Sequence, residues 1–125
     1  MTNHHRAPSR WAAFRYAFAG LWHVLCSQRN AWIHVIATFS AIGMGAWLRI
    51  SRLEWAAVLI VIGLVWMAEF LNTALEAVVD LASPDLHPLA RVGKDVGAAA
   101  VLIAAVTAAV IGILVFAPPL LARFP

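Results

Sequence analysis

Glu69, Asn72, Glu76 and Asp80 follow one another at spacings of three, four and four residues inside an otherwise apolar stretch. At about 100° per residue they fall within a sector of roughly 80°, so a helix here carries three carboxylates and an amide in one stripe about 16 Å long. Asp at the centre of a membrane helix costs about 2.5–3.5 kcal/mol on insertion scales, and such residues are functional by default. A stripe of this kind can bind a hydrated divalent cation, since oxygen ligands suit Mg2+. It can supply a carboxylate base whose proton affinity rises with burial. It can also tie helices together, but small polar residues suffice for that, and three acids exceed the need.

The following segment, Ser83-Pro-Asp85-Leu-His87-Pro88-Leu-Ala-Arg91-Val-Gly93-Lys94-Asp95, brings cations and further acids to the same end of the helix. Gly93-Lys94 is not a phosphate-binding P-loop, because Pro88 stands where the first Gly belongs and Asp95 where Ser or Thr belongs. Lys94 is expected at the start of the next helix. There it either meets a phosphate with help from the helix N-terminus or snorkels at the membrane boundary. His34, with Asn30 one turn below it, reads as a hydrogen-bonded packing residue. No His pair has zinc spacing, and neither a Gly-x-Ser-x-Gly elbow nor a Gly-rich nucleotide loop occurs.

The elements that must position these groups follow from where charge is missing. Of 125 residues, 63% are hydrophobic and only 12% charged, against about 25% charged in soluble domains. An ordinary soluble domain, a disordered tail and a disulfide scaffold are excluded, the last because Cys26 is the single cysteine. The pattern predicts an all-α membrane protein of one domain with transmembrane helices over 31–48, 55–80 and 94–117. Pro84 and Pro88 are expected to break the second and delay the third, and Pro118-Pro119 to close it.

Before the first span, Trp11, Phe14, Phe18, Leu21, Trp22 and Leu25 recur at helical spacing. They predict an amphipathic interfacial helix over 11–29 after a flexible segment 1–10. Arg6, Arg10, Arg15, Arg29, Arg91 and Lys94 fall on one side of this topology, and Arg49, Arg52 and Arg123 on the other. The basic excess puts the N-terminus and the 82–95 loop in the cytoplasm. The net charge of +3 therefore reads as topology, and no basic stripe supports nucleic-acid binding. Ala100, Ala104, Ala108 and Gly112 form a small-residue ridge suited to close helix packing, and three short helices favour self-association. A non-enzymatic bundle using the acids as an ion or proton relay is the competing class. Against it, Trp55 to Ala68 carries no ionisable residue, so a relay would end halfway across.

Glu69-Phe-Leu-Asn72-Thr-Ala-Leu-Glu76-Ala-Val-Val-Asp80 resembles the signature of the prokaryotic diacylglycerol kinase and undecaprenol kinase family, as does Ala90-Arg-Val-Gly93-Lys94-Asp95-Val-Gly97-Ala-Ala-Ala-Val101. Tyr16-Ala-Phe-Ala-Gly20 and the Arg29-Asn30…His34 cluster are similar too, and the likeness runs over roughly residues 12–117. The resemblance implies a homotrimeric inner-membrane enzyme that moves the γ-phosphate of ATP onto a lipid hydroxyl at the cytoplasmic interface. Carried over, Glu69 is the general base, Glu76 holds Mg2+ bridging the ATP phosphates, and Asn72 and Asp80 orient the site and substrate. Lys94 and Asp95 contact nucleotide, Asp85 and His87 match a loop that meets ATP, Tyr16 an aromatic near the adenosine, and Trp47 a position close to lipid entry. Gln28 stands where the family commonly has a second metal-binding, nucleotide-side Glu, and Trp32 replaces an Arg often found two residues before the His. Gln offers a carbonyl oxygen without charge, so a weakened or inactive paralogue is an alternative to a full kinase. Asp85-Leu-His-Pro-Leu-Ala90 is more similar to the undecaprenol than to the diacylglycerol branch.

Overall fold

The computed structural model describes residues 9–83 and 87–124. Four helices account for nearly all of them, with no strand among the described residues: α1 (Arg10–Ser27), α2 (Arg29–Leu48), α3 (Arg52–Ala82) and α4 (Pro88–Leu121). The protein is an all-α membrane protein, in which α2, α3 and α4 are each long and apolar enough to cross a bilayer.

Local chemistry sets each boundary. Ser9 opens α1 by accepting from the Ala12 N–H at 3.3 Å. Gln28 then leaves helical geometry (φ −103°, ψ 114°) and separates α1 from α2 by a single residue. Arg49 closes α2 in the left-handed region at φ 55°, a conformation that costs an L-residue about 1–2 kcal/mol. The Schellman pattern offsets that cost, with Ile50 N–H on Gly45 O at 3.2 Å and Arg49 N–H on Ala46 O at 3.3 Å. Gly45 also lets the hairpin close, since a Cβ there would stand 3.0 Å from the Trp55 ring. Ser51 and Glu54 form a reciprocal capping box, which starts α3 at Arg52, a turn earlier than the apolar run suggests.

Two further boundaries differ from expectation. Pro88 does not delay α4 but opens it: the ring occupies the first helical position, where a missing N–H is harmless. The helix thus begins six residues before 94. Pro118 and Pro119 do not end α4 either, which runs on to Leu121.

At about 1.5 Å per residue, α2 with 20 residues spans ~30 Å, α3 with 31 ~46 Å and α4 with 34 ~51 Å. The hydrocarbon core is ~30 Å thick, so α3 and α4 project beyond it. Inside the chain the core is thin: Ala31, Leu48, Val58, Val65, Ala104 and Val115 are buried where α2, α3 and α4 meet, and Val24 where α1 turns. Most other large apolar side chains, from Ile36 to Ile113, are exposed in the single chain, as lipid-facing or copy-facing surface must be. The small-residue ridge of α4 is partly used internally. Ala104 is buried, while Ala108 and Gly112 line a groove shared with α2 and α3.

Candidate functional site

Two cross-helix contacts fix the register of antiparallel α2 and α3. His34 Nε2 lies 3.6 Å from Glu69 Oε2, and Trp66 Nε1–H donates to Thr38 Oγ1 at 3.0 Å. Opposed residues therefore have numbers that sum to about 103–104. Glu69 is only 3% exposed, although nothing but this single chain surrounds it. Its neighbour Thr73 is also buried, its hydroxyl turned back onto the Glu69 carbonyl at 3.0 Å.

The rest of the stripe continues along α3 toward the α3–α4 loop. Asn72 Nδ2 donates to Glu76 Oε1 at 3.0 Å. Its Oδ1 is buried with no hydrogen-bond partner among the described residues. That amide lies against Gly97 of α4, where a Cβ would overlap Asn72 Oδ1 and stand 3.1 Å from Leu75 Cδ2. Asp80 ends the stripe, paired with Lys94 Nζ at 2.5 Å. Gly97→Ala is accordingly expected to destabilise the protein by about 1–3 kcal/mol through overpacking. Gly93→Ala, whose new methyl meets only Val79 Cγ2 at 3.7 Å, is expected to stay within about 0.5 kcal/mol. Thermal melting in detergent reads the difference, and equal melting of the two variants would contradict the fit.

The remaining sequence candidates divide. Gln28 is half-buried at the α1–α2 break, and by the α2–α3 register it stands level with Leu75 and Glu76. Lys94 is not at a helix N-terminus, because α4 already starts at Pro88. It sits nearly two turns in, beyond the free N–H groups of the helix start, and pairs with the Asp80 carboxylate. Asp95 is exposed, with Arg91 at 4.0 Å. His87 is the N-cap of α4, its Nδ1 accepting from the Leu89 N–H at 3.2 Å. Tyr16 is exposed on α1 beside Arg15, 5.9 Å from its ring centroid. Asp85 lies outside the described residues. Trp47 is not with the acids. It lies thirteen residues along α2 from His34, about 20 Å away by helical rise, under Arg123, whose Cζ is 4.8 Å from the ring and whose Nη2 donates to the Trp47 carbonyl at 3.1 Å. Trp47 therefore stands apart from Glu69 along the span.

Sequence reasoning treated His34 as packing and did not connect it with Glu69. The available signal was the one applied to the acids, namely that an ionisable residue within a span marks function. Beside His34 opens an apolar groove of about 290 Å3, lined by Ile33, Ala37, Ala41, Val58, Ala108 and Phe116 among others, with Thr38 as a second polar wall residue. The Glu69 carboxylate is not itself part of the groove wall but lies behind His34, which is.

The donors present fit a hard divalent cation. Asn72 Oδ1 is an orphaned oxygen whose amide is held to the Glu76 carboxylate. Among the described residues no three His, Cys, Asp or Glu side chains converge as a metal cage. Mg2+ commonly needs only one or two carboxylates, completing its shell with water and substrate phosphates.

Comparison with known proteins agrees with this architecture. The sequence profile of the prokaryotic diacylglycerol kinases matches residues 15–116. The chain is 40% identical over 116 residues to a diacylglycerol kinase of Synechocystis, covering 92% of this chain and 66% of that protein. It is 37% identical over 108 residues to an undecaprenol kinase of Bacillus subtilis, covering 86% of this chain and 88% of that protein. To a diacylglycerol kinase of Escherichia coli it is 35% identical over 89 residues, covering 66% and 73%. With three membrane-length helices and this profile over most of its length, the chain belongs to the prokaryotic diacylglycerol kinase family of membrane lipid kinases.

Proposed function

We propose that the protein transfers the γ-phosphoryl group of ATP, with Mg2+, to the hydroxyl of a membrane lipid, undecaprenol or diacylglycerol, and works as a homotrimer in the bacterial inner membrane. The observation that carries this reading is the buried Glu69 carboxylate at the inner end of the polar stripe, 3.6 Å from Nε2 of His34, a wall residue of the apolar groove. A lipid whose chain lies in the groove would present its hydroxyl there, which is what a base for phosphoryl transfer requires. Glu69 accepts the hydroxyl proton as the lipid oxygen bonds to the γ-phosphorus and the bond to the ADP oxygen breaks.

The other residues position and neutralise, which is most of what phosphoryl transfer asks of a protein. Glu76, joined to Asn72 and level with Gln28, would hold Mg2+, which when bound spreads the charge of the phosphates. Asn72 and Asp80 orient the site. Lys94, together with Asp95, meets the nucleotide, and its pairing with Asp80 keeps its ammonium aimed along the stripe until phosphate arrives. Asp85, His87 and Tyr16 would flank the nucleotide at the same membrane face. The positive-inside pattern supports a cytoplasmic site, where ATP is available. Arg123 beside Trp47 supports the grouping of Arg49, Arg52 and Arg123 on the opposite side. The large exposed apolar surface of the single chain supports assembly.

Purified protein in mixed micelles with MgATP is expected to phosphorylate one of two lipids offered separately, with undecaprenol favoured over diacylglycerol by the Asp85–Ala90 likeness. Phosphate on neither lipid, from an intact oligomer, would overturn the reading and favour the paralogue weakened by Gln28.

A further inference from the structure

His34 is the one ionisable side chain of α2 between its first residue, Arg29, and Leu48, and it lies against the deepest acid of α3. Its Nε2 is 3.6 Å from Glu69 Oε2, and their side chains are 12% and 4% exposed. That separation is just beyond hydrogen-bond range, as catalytic contacts often are before substrate closes the site. The imidazole is held where it is. Trp66 packs edge-on against it, ring centroids 6.1 Å apart at 68°, and the Trp66 indole is in turn tied to Thr38, one turn along α2 from His34. Trp66 lies one turn from Glu69 on α3, so one residue from each helix, Thr38 and Trp66, braces the imidazole–carboxylate pair. His34 also forms part of the groove wall.

We propose that His34 is a positioning residue for Glu69: its Nε2–H fixes Oε2, leaving Oε1 turned toward the hydroxyl of a lipid in the groove. This rests on the reading of Glu69 as the base. The carboxylate, and not the imidazole, receives the proton. His34 removes the rotational freedom that would otherwise let the carboxylate turn away. A misplacement of about 1 Å at a reacting group can cost about 10²-fold in rate, which sets the expected effect.

Four variants in native-like bilayers test it, read as separate kcat and KM values. His34→Ala and His34→Phe are expected to lower kcat about 10²-fold while leaving the KM for MgATP unchanged. The Phe variant keeps a ring against Trp66, so its failure would report the lost N–H rather than a lost fold, and oligomer size and melting temperature verify that. His34→Gln places an amide N–H near the position of Nε2 and is expected to recover most of the rate. His34→Asn, whose amide matches Nδ1, is expected to recover little. His34→Ala turning over like the parent would overturn the proposal, as would a Gln variant no faster than the Phe variant. Glu69→Gln is measured beside them. If it is inactive while His34→Ala is active, only the positioning role falls; if it is active, the base reading falls with it.

Discussion

Glu69→Gln is expected to lower lipid phosphorylation by about 10²–10⁴-fold while leaving the protein as stable as before or more so. A positioned general base contributes about 10²–10⁴-fold, and the amide cannot accept the hydroxyl proton. The stability expectation has the opposite sign. Glu69 is 3% exposed inside a membrane helix, and a buried ionised carboxylate is far more expensive than a neutral amide of the same shape. The Gln oxygen can still take the His34 contact. Activity and melting temperature moving in opposite directions distinguish a functional carboxylate from helix glue, for which removing the charge would cost packing and leave turnover alone. The measurement is turnover and thermal melting on the same preparation. A variant that turns over normally would remove Glu69 from the chemistry.

That opposition explains what could be read from the sequence. The acid stripe was legible because period and polarity are local: Glu69, Asn72, Glu76 and Asp80 share a helix face whatever surrounds them, and the structure joins Asn72 to Glu76 and Asp80 to Lys94. Three membrane helices were legible for the same reason, since charge-free runs are counted along the chain. Helix ends were less so. Pro88 reads as a breaker in isolation, yet with His87 capping ahead of it the ring is a start signal. The Ser51–Glu54 box was present in the sequence but masked by Arg52 and the late onset of the apolar run.

What neighbouring helices contribute was hidden altogether. No spacing within α2 says that His34 opposes Glu69, because that depends on the α2–α3 register, set by a turn that requires Gly45 under Trp55 and Arg49 in a left-handed conformation. The same turn carries Trp47 away from the acids. Gly97 is a further case: in sequence it is one small residue among several on α4, and only the packing of α4 on α3 makes it the space that Asn72 occupies.

The second large effect is expected at Glu76. Glu76→Gln should raise the Mg2+ concentration for half-maximal activity by at least about 10–100-fold, the range that even outer-shell partners of a metal command. It is the carboxylate of the stripe that accepts from the Asn72 amide N–H, and the oxygen of that amide lacks a partner among the described residues, so neutralising Glu76 removes the site's negative ligand. Binding of Mn2+ followed by electron paramagnetic resonance, with nucleotide present, reads the same loss independently of turnover. The α2–α3 register then makes a sharper demand. Contacts 34–69 and 38–66 bring residue 28 level with 75 and 76, so a carboxylate at 28 would stand at the height of the one removed. Gln28→Glu alone is expected to tighten Mn2+ binding, and in the Glu76→Gln background to recover part of the lost affinity. A Glu76→Gln protein with unaltered Mn2+ affinity would exclude Glu76 as the ligand. A double variant no better than Glu76→Gln would mean that level height is not proximity, and that the negative charge this site needs comes from elsewhere on the stripe.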